Sequence, residues 1–231
     1  MYPNTIATSS VSTVRSFFNR TYSWMTMGLA LTAGIAYLTS TNENLLGFVA
    51  ENFLMLMLLQ LGVVFGLSFL INRVSAGVAS GLFVLYAALT GLTFSILPAI
   101  YPAADILAAF VTTAGMFGAM SLLGYTTKID LTRFRGILLM ALIGLVIASL
   151  VNIFLASGPL SWIISIVGVI LFAALTAYDT QKLKELALSG VDASSATGEK
   201  LAVYGALTLY LDFINMFMFI LRLFGLARSS D

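Results

Sequence analysis

Leu175-Thr-Ala-Tyr-Asp-Thr-Gln-Lys182 and Ala206-Leu-Thr-Leu-Tyr-Leu-Asp-Phe-Ile-Asn215 each set one acid, Asp179 and Asp212, into an apolar run. Asp179 lies near the end of one long run, and Asp212 near the middle of the next. A charge held in hydrocarbon costs roughly 3 kcal/mol on insertion scales. Such residues face a bundle interior or a water cavity, and they mark function by default. The rest of the chain reads as the scaffold that makes two buried acids tolerable.

Composition sets the class. Of 231 residues, 60% are hydrophobic and 9% charged, and the mean hydropathy is +1.02. A soluble domain carries about 25% charged residues, so this chain has too little polar surface to cover a water-facing globule. The expected fold is an all-α polytopic membrane protein in contact with the lipid bilayer. The net charge of +1 and the lack of a basic patch beyond short loops argue against a nucleic-acid partner. There is no Cys, which excludes disulfides and thiolate metal sites, and no His, which excludes zinc triads and Ser-His-Asp catalysis. Any pH response near neutrality must therefore come from carboxylates.

Residues 1–21 are polar, with Arg15 and Arg20 before the first apolar run, and read as an unstructured tail. The run Tyr22–Leu38 exceeds a signal-peptide core and has no small-x-small site before Thr39–Asn44, so it reads as a retained span. Seven apolar segments are expected, at 22–41, 48–72, 77–98, 104–125, 136–156, 160–182 and 201–223. Each holds roughly the 20 residues needed to cross the hydrocarbon. Most connections are short, so neighbours are antiparallel and residues 22–226 form one bundle, with 227–231 as a C-terminal tail. Lys and Arg crowd the N-terminal tail and the second, fourth and sixth loops, while the first, third and fifth have none. By the positive-inside rule the N-terminus is cytoplasmic. Arg222 and Arg228 oppose full crossing of the seventh segment. The pairs Gly62/Gly66, Gly77/Gly81 and Ala114/Gly118 have small-xxx-small spacing, which reads as generic close packing.

Loop charges carry little information: Glu43, Asp105, Asp192 and Glu199 are expected to be solvated, and Glu51 to be interfacial. Asp130 reads as a helix N-cap or a partner for Lys128, Arg133 and Arg135. The intramembrane acids differ. Asp212 shares a helical face with Thr208 and Asn215, and Asp179 shares one with Thr176 and Leu175. The two helices form a hairpin, so the acids can meet near its cytoplasmic end. Their depths do not match unless a helix extends beyond the segment limits given above: Asp179 is three residues from Lys182, whereas Asp212 is eleven from Leu201. Two carboxyls in one low-dielectric site cannot both ionise easily, so the pair would share a proton when closed and need a cation when deprotonated. Arg73 is the first candidate for that latch. The alternative is a hard ion, for which oxygen ligands suit Ca²⁺. A hydrogen bond that merely locks the helices is the structural alternative.

At these residues the chain resembles the transmembrane Bax inhibitor motif family, its bacterial branch in particular. The matching stretches are Gly115-Met-Phe-Gly-Ala-Met-Ser-Leu-Leu-Gly-Tyr-Thr-Thr-Lys-Ile-Asp-Leu131, Leu175-Thr-Ala-Tyr-Asp-Thr-Gln-Lys-Leu-Lys184 and Ala206–Asn215. The resemblance implies a central seventh helix wrapped by six others, in a bacterial inner membrane. It also implies a pH-sensitive Ca²⁺ leak gated by an Asp pair, which maps onto Asp179 and Asp212, with Arg73 matching a closed-state Arg by location. Some members instead bind a membrane-bound ATP-dependent protease, which gives a second reading without ion transport. An intramembrane aspartyl protease fits poorly. Asp212 follows Tyr-Leu rather than Gly-x-Gly, and no Pro-Ala-Leu element is present. The expected protein is not an enzyme and needs no cofactor.

Overall fold

The structure, a computed structural model, describes residues 4–70, 73–189 and 195–228, so Asn72, Asp192 and residues 229–231 lie outside it. Among the described residues there are helices and turns and no strand. Six stretches there are long and apolar enough to cross a membrane: Phe53–Leu70, Ala76–Ile100, Ala103–Thr126, Leu131–Leu155, Gly158–Leu188 and Ala196–Arg228. The chain divides into two compact units. One holds Met1–Ile100 and Leu183–Tyr210, the other Tyr101–Lys182 and Leu211–Asp231.

The first unit contains α1 (Asn4–Ser40), α2 (Glu43–Glu51), α3 (Phe53–Leu70), α4 (Ala76–Phe94) and the short α5 (Leu97–Ile100). Helix α1 corrects the expectation of an unstructured tail over 1–21. Val14, Phe17, Phe18 and Thr21 recur at helical spacing and are all buried, so the polar N-terminal stretch hides an amphipathic face. The apolar stretch 22–41 continues the same helix, diluted by Ser23, Thr26, Thr32 and Thr39. The expected second span is broken at Asn52, which caps α2 through a bond from its Nδ2 to the Phe48 carbonyl at 2.9 Å. Helix α1 packs along α4.

A hydroxyl network fastens this unit. Thr32 Oγ1 donates to the Ala87 carbonyl at 2.9 Å, which commits its one hydrogen. Tyr210 must therefore be the donor in its 2.6 Å contact with Thr32 Oγ1. The fully buried Tyr210 ring is met edge-on by Phe83 and Tyr86. Gln60 Nε2 donates to Thr93 Oγ1, which in turn donates to the Thr90 carbonyl.

The second unit holds α6 (Ala103–Thr126), a one-turn 3-10 helix (Leu131–Phe134), α7 (Arg135–Leu155), and most of α8 (Gly158–Leu188) and α9 (Ala196–Arg228). Both α8 and α9 overrun the segments 160–182 and 201–223: Leu183 and Ala187 continue the buried face beyond the first, and Gly198 is already buried ahead of the second. Ala156, with φ 46°, turns the chain between α7 and α8. Asn152 holds that turn, accepting from the Ser157 N–H and donating to Ser161 Oγ. Only 6% of the apolar stretch Leu131–Leu155 is buried, against 50% of that in Ala196–Arg228; α7 is a lipid-facing element and α9 an enclosed one.

The expectation that Gly62, Gly66, Gly77, Gly81 and Gly118 mediate close packing is not met. A Cβ at any of them would find nothing within 4 Å. Their faces point outward, and close approach occurs at other glycines.

Candidate functional site

Three helices of the second unit converge on the acids, each through one of the stretches that carry the family resemblance. Helix α6 meets α8 at Gly124, where a Cβ would collide with the Ala177 carbonyl oxygen; only glycine permits that approach. Helix α6 meets α9 through Phe117 and Phe110, whose rings lie 5.5 and 5.6 Å from that of Phe213. Helices α8 and α9 meet at Phe172 and Phe219, stacked at 5.9 Å, and at Gly168, where a Cβ would stand 2.6 Å from the Phe219 ring.

That stack sets the register of the acids. Helices α8 and α9 run antiparallel. Two turns along α8 from Phe172 lies Asp179, and two turns back along α9 from Phe219 lies Asp212. The acids therefore stand at one level and within electrostatic reach of each other. The depth mismatch in the sequence disappears because α9 begins at Ala196 and α8 runs on to Leu188.

Asp212 is 4% exposed, and its Oδ2 has no hydrogen-bond partner. Asp179 is partly buried, with exposed Lys182 one turn on. Two further buried hydroxyls in this unit, Ser121 Oγ on α6 and Thr180 Oγ1 on α8, also lack partners. Ser121 lies one turn from both Phe117 and Gly124, the contact points to α9 and α8, and Thr180 lies one turn beyond Ala177. Neither was singled out from the sequence, because an isolated Ser or Thr in an apolar helix is common; only the tertiary contacts show it unpaired.

The expected supporting residues are placed as follows. Thr208 and Asn215 turn back on their own helix, donating to the carbonyls of Tyr204 and Leu211 at 3.1 and 2.8 Å. Arg73 is exposed and belongs to the first unit. Among the described residues the ion pairs are Asp130–Arg133 and Asp105–Arg228, so neither intramembrane acid has a cationic partner within 4 Å. No group of three or more acids there is placed to hold a metal.

Two loop acids complete the picture. Asp130 caps the 3-10 helix as expected, accepting from the Thr132 N–H at 3.0 Å and bonding Arg133 at 3.3 Å. The Thr132 hydroxyl, then its N–H, hold the Asp130 carboxyl below its ordinary range. Asp105 corrects the expectation of a solvated acid. Its side chain is 16% exposed and pairs with Arg228 at 3.3 Å, because the end of α9 reaches the start of α6. Tyr101 against Gly225 repeats that contact. Helix α9 thus runs beside α6 from Phe117 back to Asp105, its terminal Arg228 included. Glu43 and Glu51 are exposed, as expected.

Gln181 was passed over in the sequence. It is buried beside Asp179 on α8, and its amide makes a two-point clasp: Oε1 accepts from the Leu131 N–H at 2.7 Å, and Nε2 donates to the Ile129 carbonyl at 2.8 Å.

Residues 14–229 match the profile of the family described as inhibitor of apoptosis-promoting Bax1. A protein of Deinococcus radiodurans described as uncharacterized is 55% identical over 91% of this chain and 90% of its own length. The inner membrane protein YbhL of Escherichia coli K12 is 49% identical over 93% of each chain. A protein of Borreliella burgdorferi, also described as uncharacterized, is 41% identical over 93% of each.

Proposed function

The chain belongs to the Bax inhibitor family, in its bacterial branch, and from that premise we propose that it is a pH-sensitive passive Ca²⁺ leak of the inner membrane. The observation that carries the reading is the register that sets Asp179 opposite the 4%-exposed Asp212 with no cation paired to either. An uncompensated acid pair in hydrocarbon is costly unless it takes up a proton or a passing cation.

The pair acts as one titrating gate. Protonated, it presents no charge to an ion. Deprotonated, it attracts a divalent cation. Tight Ca²⁺ sites collect six to eight oxygens. Two carboxyls without a third acid suit an ion in transit rather than one held, so Ca²⁺ is cargo and not a resident cofactor. In the full reading, the apolar half of α1 supplies the seventh crossing, the N-terminus is cytoplasmic and α9 is the central helix. No step of the reading needs an enzyme's nucleophile or base.

Ca²⁺ entry into dye-loaded proteoliposomes tests the reading. Wild type should carry a flux that changes between pH 5 and pH 8, and Asp179→Asn and Asp212→Asn should each flatten that dependence. No wild-type flux would turn the search to a protein partner such as a membrane-bound protease.

A further inference from the structure

Helix α6 and the 3-10 helix are joined by a loop whose chemistry is unlike that of other exposed parts of the second unit. Lys128, Arg133 and Arg135 are exposed, and so is Lys182 at the neighbouring turn of α8. Between the basic residues stand two exposed apolar side chains, Ile129 at 65% and Phe134 at 45%. Asp130 is the one acid, and it is already engaged by Thr132 and Arg133. A surface alternating cations with exposed apolar groups at the end of a membrane span matches one environment, the boundary between acyl chains and anionic headgroups.

The Gln181 clasp makes this a fixed surface rather than a loose loop. Bonds to Ile129 and Leu131 hold the backbone on either side of Asp130 against α8. Lys182 follows Gln181 directly on α8 and is exposed, so its cationic side chain leaves the helix within one turn of the point where the loop is held. The cap on the 3-10 helix fixes the approach to Arg133 and Arg135.

We propose that Lys128, Arg133, Arg135 and Lys182, assembled by Gln181, bind the headgroup of an anionic phospholipid, with Ile129 and Phe134 seated among its acyl chains. Gln181 is the positioning residue. Because it lies two residues from Asp179 on the same helix, the lipid is coupled to the segment that carries the candidate gate. The binding claim itself stands without any ion flux.

The test is native mass spectrometry of the full chain, released from detergent and titrated with phosphatidylglycerol or phosphatidylcholine. Wild type should retain phosphatidylglycerol in preference. Replacing all four cations by Gln should cut that retention at least about tenfold; the four are exposed, so the fold should be undisturbed. Gln181→Ala keeps every charge and should still lower retention several-fold, with a thermal melt confirming that it is folded. If that variant unfolds, Gln181→Glu, which can no longer donate to the Ile129 carbonyl, replaces it. Arg15→Gln with Lys200→Gln is the control and should leave retention unchanged. Equal retention by wild type and the four-cation variant would overturn the proposal. So would equal loss in the control, which means a general leaflet attraction, or wild-type retention in folded Gln181 variants, which means cations acting singly.

Discussion

The two units differ in how many of their buried polar atoms go unpaired. In the first, Thr32, Thr90, Thr93, Gln60 and Tyr210 form bonds that cross from helix to helix or close onto a carbonyl. Thr21 Oγ1 is the exception. In the second, Thr113, Ser165, Thr176 and Gln181 are likewise bonded, but Ser121 Oγ, Thr180 Oγ1, Asp105 Oδ2 and Asp212 Oδ2 have no partner. Buried polar groups are nearly always bonded, and a satisfied network rigidifies what a half-satisfied one destabilises. The first unit therefore reads as scaffold, and the second as the place where stability is given up for a polar interior. Such departures from local consistency concentrate at functional sites.

Substitutions can break that contrast. The largest effect is expected at Tyr210, whose ring and hydroxyl join three elements of the first unit. Tyr210→Ala should lower the unfolding free energy in detergent by about 4 kcal/mol, a typical loss for a buried aromatic. A loss below about 1 kcal/mol would mean that the network is ornamental.

Next comes a pair of opposite signs. Thr32→Val leaves Tyr210 without its acceptor and should destabilise by about 2 kcal/mol. Asp212→Asn removes an uncompensated buried acid and should stabilise by a similar amount, about 2 kcal/mol. Ser121→Ala should follow Asp212→Asn in sign at about 1 kcal/mol. The same SDS-unfolding series reads all three, and a common sign would erase the contrast between the units.

The smallest effect concerns the loop. Asp130 is exposed, and the Thr132 hydroxyl, its N–H and Arg133 hold its carboxyl below the ordinary value of 3.8. A carboxyl lowered on folding adds stability above its unfolded value, and that stability is lost as the pH falls through the folded one. Thr132→Val should bring the Asp130 titration back toward the ordinary value in a carboxyl NMR series, with little change in stability at neutral pH. No movement would mean that the hydroxyl is not the main cause.

Much of this was legible in the chain. Apolar run lengths gave the helical membrane class, and two acids within such runs marked the site before any contact was known. The capping role of Asp130 followed from its neighbours. What the sequence hid depends on packing. The face Val14/Phe17/Phe18/Thr21 is masked by surrounding Ser, Thr and Arg, so the first helix looked like a tail. Asp105 looked solvated because its partner, Arg228, is 123 residues away. The Gln181 clasp joins residues about 50 apart through backbone groups, which carry no sequence signal. The depth mismatch of the acids came from cutting α8 and α9 at their charged ends, where the helices in fact continue.

The central claim is that Asp179 and Asp212 titrate as one unit that sets ion passage. The most direct measurement is the pH dependence of Ca²⁺ flux in proteoliposomes for wild type, Asp179→Asn, Asp212→Asn and the double variant. A single unit predicts that each substitution alone flattens the profile and that the double adds nothing further. A wild-type profile in either single variant, or effects that sum in the double, would contradict it.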